Sequence, residues 1–81
     1  MRIGRSSECE LVLRDPRASR QHARLTARDG VLVLTDLGST NGTHVNGQRV
    51  SEVVLGEGDR ISIGETVLIV GRQPDDTGSD R

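Results

Sequence analysis

Residues 22–50, HARLTARDGVLVLTDLGSTNGTHVNGQRV, decide the fold. Asp29-Gly30 sits between two extended runs, 22–27 and 31–36, and Asn46-Gly47 between two more, 44–45 and 49–50. The favoured two-residue hairpin loops need positive φ at both positions, which Asn, Asp and Gly adopt at low cost. Each pair therefore reads as a β-hairpin. Between them, DLGSTNG at 36–42 carries two hydroxyls, an amide and two glycines, more hydrogen-bonding chemistry than a bare connection requires.

Outward from this stretch the pattern continues. Short apolar runs at 2–3 and 11–13 precede it, and runs at 60–63 and 66–70 follow it with Gly64-Glu65 as a third hairpin signal. No 3.6-residue apolar periodicity persists beyond one turn. The chain is expected to be all-β, a sandwich or barrel. From 73 onward QPDDTGSDR is polar and lacks an apolar anchor, so the domain is expected to span 1–72 and 73–81 to be a disordered tail or linker.

Composition narrows the function classes. A chain of 81 residues makes one small domain, and such chains bury only about 60% of their unfolded surface. Phe, Tyr and Trp are absent, so the core is aliphatic, and base-stacking platforms and methyl-lysine cages are excluded. All eleven basic residues are Arg, against twelve acidic ones, for a net charge of −1. There is no lysine for Walker-type phosphate binding or Schiff-base chemistry, and no overall field to attract nucleic acid. Any anion site must be local. Arg14, Arg17, Arg20, Arg24 and Arg28 are interleaved with polar and apolar residues, which also argues against a nucleic-acid face.

The single Cys9 has no disulfide partner, and Glu8 and Glu10 on either side disfavour its thiolate, so it reads as a packed bystander. There is no basic-then-apolar leader and no apolar run long enough for a membrane, so a cytoplasmic, soluble chain is expected.

Four places carry chemistry. Arg5 follows Gly4, a residue that permits close backbone approach. Ser19-Arg20-Gln21-His22 puts a hydroxyl and a guanidinium just before a strand. Ser19 and His22 fit a small hydrolase poorly: in extended backbone they face opposite ways, and no acid is placed to orient the histidine. Cys9, His22 and His44 have no metal-ligand spacing, so no metal or cofactor is expected. The fourth place is Ser39-Thr40-Asn41-Gly42.

In order and at their intervals, IGRS, DPRASRQHARL, DLGSTNGTHVNG and LGEGDRISIG resemble the forkhead-associated (FHA) domain, a phosphothreonine-peptide reader. The resemblance spans residues 1 to about 71 and implies an antiparallel β-sandwich whose loops at one end bind the peptide. Carried over, it implies that Arg5, Ser19, Arg20 and Thr40 contact the phosphate and that Asn41 bonds the peptide backbone just after the phosphothreonine. Gly4, His22, Ser39 and Gly42 are implied as support for those loops. The implied partners are phosphothreonine proteins, a Ser/Thr kinase or its substrates, with no nucleic acid, no membrane and no enzymatic activity. A phosphate-independent interaction module is the alternative.

The family normally places two strands before the Gly-Arg signal, here preceded by only three residues, so an N-terminally truncated sandwich is expected. The run 66–70 then becomes an uncharged open edge, and self-association through it is expected. Thr77, with Asp80 three residues on, resembles one ligand type of the family and raises the possibility of a self-ligand in the tail.

Overall fold

A computed structural model describes residues 1–71. The expectations for the tail, including Thr77, lie outside the described residues. Nine strands follow in order: β1 (Arg2–Gly4), β2 (Leu11–Val12), β3 (Ala23–Arg28), β4 (Val31–Asp36), β5 (Thr43–Val45), β6 (Gln48–Val50), β7 (Glu52–Leu55), β8 (Arg60–Ile63) and β9 (Thr66–Ile69). They form a β-sandwich of two sheets, β2-β1-β3-β4-β7 and β6-β5-β8-β9.

The hairpin chemistry acts as expected. Asp29 and Gly30 take φ of 53° and 82°, and Asn46 and Gly47 take 52° and 85°, the paired left-handed conformations of a tight hairpin. These turns fix the registers. Leu25 faces Leu34 and Leu34 faces Val53, aligning three inward aliphatic side chains across one sheet. In the other sheet, Ile61 lies opposite both Val45 and Leu68. Ile3, Leu13, Ala18, Ala23, Leu34, Val45, Leu55, Ile61 and Ile63 fill the core between the sheets.

Two features depart from the sequence reading. Strand β7 was not anticipated, because only Ser51 separates it from β6 and no Gly or Pro punctuates the text there. The chain changes sheets at this one residue: β6 pairs with β5, whereas β7 pairs with β4. Within the antiparallel sandwich one pair is parallel, β1 with β2, with Ile3 opposite Leu11. The loop 5–10 turns back on itself through the Cys9 amide to the Ser6 carbonyl and the Glu8 amide to the Ser6 hydroxyl. Cys9 is buried there, its thiol donating to the Arg20 carbonyl, in keeping with a packed role.

Strand directions put one set of connections at one end. Strands β1, β4, β6 and β8 run toward it and β3, β5, β7 and β9 run away from it. The connections 5–10, 13–22 and 37–42, Ser51 and the Gly64-Glu65 turn therefore gather there.

Candidate functional site

Backbone pairing brings the first two of these loops together. The Arg5 amide donates to the Ser19 carbonyl at 2.9 Å, and the Ser6 amide to the Arg20 carbonyl at 3.0 Å. Gly4 is required for this approach, since a Cβ there would overlap the Arg20 carbonyl oxygen. Arg5 is exposed and its Nε donates to the Ala18 carbonyl at 3.0 Å, which anchors the guanidinium, while its terminal amino groups make no hydrogen bond or ion pair among the described residues.

His22 ties the second loop to the third. It is wholly buried, and its Nδ1 accepts the Ser19 amide at 3.0 Å. Its Nε2 therefore carries the hydrogen and donates to the Gly42 carbonyl at 2.9 Å. Both ring nitrogens are engaged with backbone, so His22 is no base for the Ser19 hydroxyl. The segment is a turn rather than extended backbone, which corrects the expected opposite-face placement: the two residues do meet, but through the Ser19 amide. Ser19 Oγ instead accepts the Thr40 amide at 3.2 Å and keeps its own hydrogen for another acceptor.

The third loop is organised by Asp36, which sequence reasoning passed over. Its Oδ2 accepts the amides of Gly38 and Ser39, and its Oδ1 accepts the hydroxyls of Ser39 at 2.6 Å and Thr43 at 2.7 Å. Desolvation pushes this carboxyl up, but the Ser39 and Thr43 hydroxyls and the two amides outweigh it and hold it below the usual aspartate value. Buried Ser39 also accepts the Gly42 amide at 3.0 Å. Its hydroxyl is thus spent inside the loop. Thr40 and Asn41 lie at the exposed apex, where the Asn41 amide nitrogen donates to the Arg17 carbonyl at 2.8 Å and its Oδ1 accepts no hydrogen bond among the described residues.

A second overlooked carboxylate completes the frame. Asp15 is 6% exposed and accepts the Arg17 amide, the Glu65 amide and the Thr66 hydroxyl, joining the loop before Ser19 to the β8–β9 turn. The Arg17 amide, then the Thr66 hydroxyl, hold its carboxyl below the ordinary value against a smaller desolvation. Arg17 also pairs with Glu65 at 3.3 Å, both side chains exposed. The signal for both carboxylates was an Asx turn: Asp36 precedes Gly38-Ser39 and Asp15 precedes Pro16.

The structure thus brings Arg5, Ser19, Arg20, Thr40 and Asn41 to one end, with Gly4, His22, Ser39 and Gly42 beneath them. The exposed Arg20 contributes its carbonyl to the frame, and its guanidinium makes no ion pair among the described residues. His44 and Cys9 do not join His22: His44 lies within the sheet opposite Arg49 and Ser62. What results is an exposed cluster of cationic and neutral donors on backbone cross-braced by hydrogen bonds. Such a cluster suits a ligand anion with several acceptor oxygens.

A sequence profile described as the FHA domain matches residues 1–64. The glycogen accumulation regulator GarA of Mycolicibacterium smegmatis is 38% identical over 79 residues, covering 95% of this chain and 50% of that protein. The chain thus spans half the length of that regulator. A structure from a structural and functional analysis of phosphothreonine-dependent FHA domain interactions superposes with a TM-score of 0.86 at 40% identity, over 90% of this chain and 76% of that one. The FHA domain of FhaA, complexed with the intracellular domain of Rv3910, gives 0.82 at 40% identity, over 84% and 75%. The chain belongs to the forkhead-associated domain family.

Proposed function

We propose that the loop end of the sandwich binds a phosphothreonine-containing segment of a partner protein, without catalysis, in Ser/Thr-kinase-dependent signalling in the cytoplasm. The observation that carries this reading is the convergence of unspent donors: the Arg5 terminal amino groups, the Arg20 guanidinium and the Ser19 and Thr40 hydroxyls, all on hydrogen-bonded loops. A phosphomonoester carries about −1.5 to −2 charge near pH 7 and three acceptor oxygens, which this donor set matches. Asn41, with its Oδ1 free, serves the ligand backbone. Each charge-assisted bond contributes roughly 1.5–3 kcal/mol before ordering and desolvation reduce the sum, so a low-micromolar dissociation constant is expected, about −7 to −8 kcal/mol. Preference for phosphothreonine over phosphoserine through one buried methyl is worth about 0.8 kcal/mol, or roughly fourfold. Calorimetry with a phosphothreonine peptide and its unphosphorylated twin tests the reading, and equal affinity for the two would end it.

A second surface concerns assembly. Among the described residues strand β9 has β8 as its one hydrogen-bonded neighbour; it carries no charge and exposes Val67 and Ile69. Uncharged apolar edges favour strand pairing between chains. Self-association through β9 is the corresponding proposal.

A further inference from the structure

Arg49 is a guanidinium against the site loops that the proposed phosphate contacts do not use. It stands on β6 directly opposite His44, and Gly42 lies two residues before His44, so Gly42 and Arg49 are diagonal neighbours on the outer face of their sheet. The side chain leans back onto the site loop: a Cβ on Gly42 would come within 2.8 Å of Arg49 Nε and 3.1 Å of its Cζ. Gly42 is buried while Arg49 is exposed, and Nε, Cζ and Cδ are its atoms nearest that glycine, so the guanidinium itself rests on the loop that carries Asn41. The head makes no ion pair among the described residues. Arg17, by contrast, is held by Glu65, and Arg5 by the Ala18 carbonyl.

A guanidinium that rests on the Asn41-Gly42 loop, unpaired among the described residues, is complemented by a carboxylate on a ligand passing that loop. Resting on the phosphothreonine reading, we propose that Arg49 is a specificity-determining residue that favours an acidic side chain flanking the phosphothreonine, where the peptide passes Asn41 and Gly42. It adds sequence preference without touching the phosphate. Because the pair is solvent-exposed, the preference is modest, about two- to fivefold, and shrinks with salt.

The test is fluorescence anisotropy with a phosphothreonine peptide of alanine flanks and a set carrying Asp at each of the three positions on either side. Wild type is expected to prefer Asp at one or two adjacent positions. Arg49→Gln, which keeps the first three side-chain carbons and removes the guanidinium, is expected to lose that preference and to bind the alanine-flanked phosphopeptide within about twofold of wild type, with an unchanged melting curve. The proposal is overturned if wild type shows no acidic preference, if Arg49→Gln keeps it, or if Arg49→Gln weakens the alanine-flanked phosphopeptide as much as the acidic ones. Were wild type to bind the alanine-flanked peptide equally with and without phosphate, the phosphothreonine reading itself would fall, and the Arg49 proposal with it.

Discussion

Arg5 is the side chain on which the proposed phosphate contact turns, because its Nε is already anchored to the Ala18 carbonyl and its fork is pre-aimed. Arg5→Ala is expected to cost the phosphopeptide more than about 1 kcal/mol in calorimetry and to leave binding of an unphosphorylated twin unchanged. Ser39 is its counterpart in the frame. Its hydroxyl joins Asp36 Oδ1 to the Gly42 amide, and Ser39→Ala leaves that buried amide without an acceptor. The expected loss is roughly 1–3 kcal/mol of stability, read as a fall in melting temperature of about 4–8 °C per kcal/mol. A melt unchanged by this substitution would mean the loop does not depend on the brace. Gly4 and Gly42 are constrained differently: the first by the Arg20 carbonyl, the second by a φ of 87° and the Arg49 stem.

Two carboxylates at the element scale organise the connections, one within its own loop and one across 50 residues of sequence. Asp36 closes the β4–β5 connection, and Asp15 joins the segment before Ser19 to the β8–β9 turn. Both are held below their ordinary values in the folded protein, so each contributes stability that is complete above the unfolded aspartate value of about 3.9 and is lost as pH falls through the lower folded one. Thermal melts are expected to be flat from pH 7 to 5 and to drop steeply below 4. Asp36→Asn cannot accept from all four donors, so it is expected to melt lower at pH 7 while losing part of the acid sensitivity; an unchanged acid limb would remove Asp36 from this role. At the open edge, Ile69 points to the outer face and is 57% exposed, and Leu68 packs inward against the core. Ile69→Lys is therefore the substitution expected to reduce self-association in sedimentation velocity without lowering stability, since lysine blunts edge pairing.

For the whole molecule, the proposed site is one end of a sandwich whose other end holds the Asp29-Gly30 and Asn46-Gly47 turns, and ligand charge is the variable it is expected to answer to. A phosphomonoester's second pKa lies near 6, so binding is expected to weaken between pH 7.5 and 5.5, measured with a non-titrating charge mimic as control. Affinity flat across that range would count against recognition of the dianion. Much of this arrangement was legible in the text. Asp-Gly and Asn-Gly announce their hairpins because positive φ is a property of those residues themselves, and the apolar alternation of 60–63 follows from the two-residue period of a strand. The Gly-Arg, Ser-x-x-His and Ser-Thr-Asn-Gly segments could be named because each is contiguous. Strand β7 could not be, since one serine marks the change of sheet, and neither could the parallel pairing of β1 with β2. Asp15 reaches a hydroxyl 51 residues away, and the Asn41 amide a carbonyl 24 residues away. Eight of the nine described strands, their turns and the chemical inventory of the loops were readable from the text, because these depend on backbone preferences a few residues long. Which loops share an end, which carboxylates lock them and which arginine rests on the Asn41-Gly42 loop follow instead from sheet registers set by packing across the core, which no local stretch of text encodes.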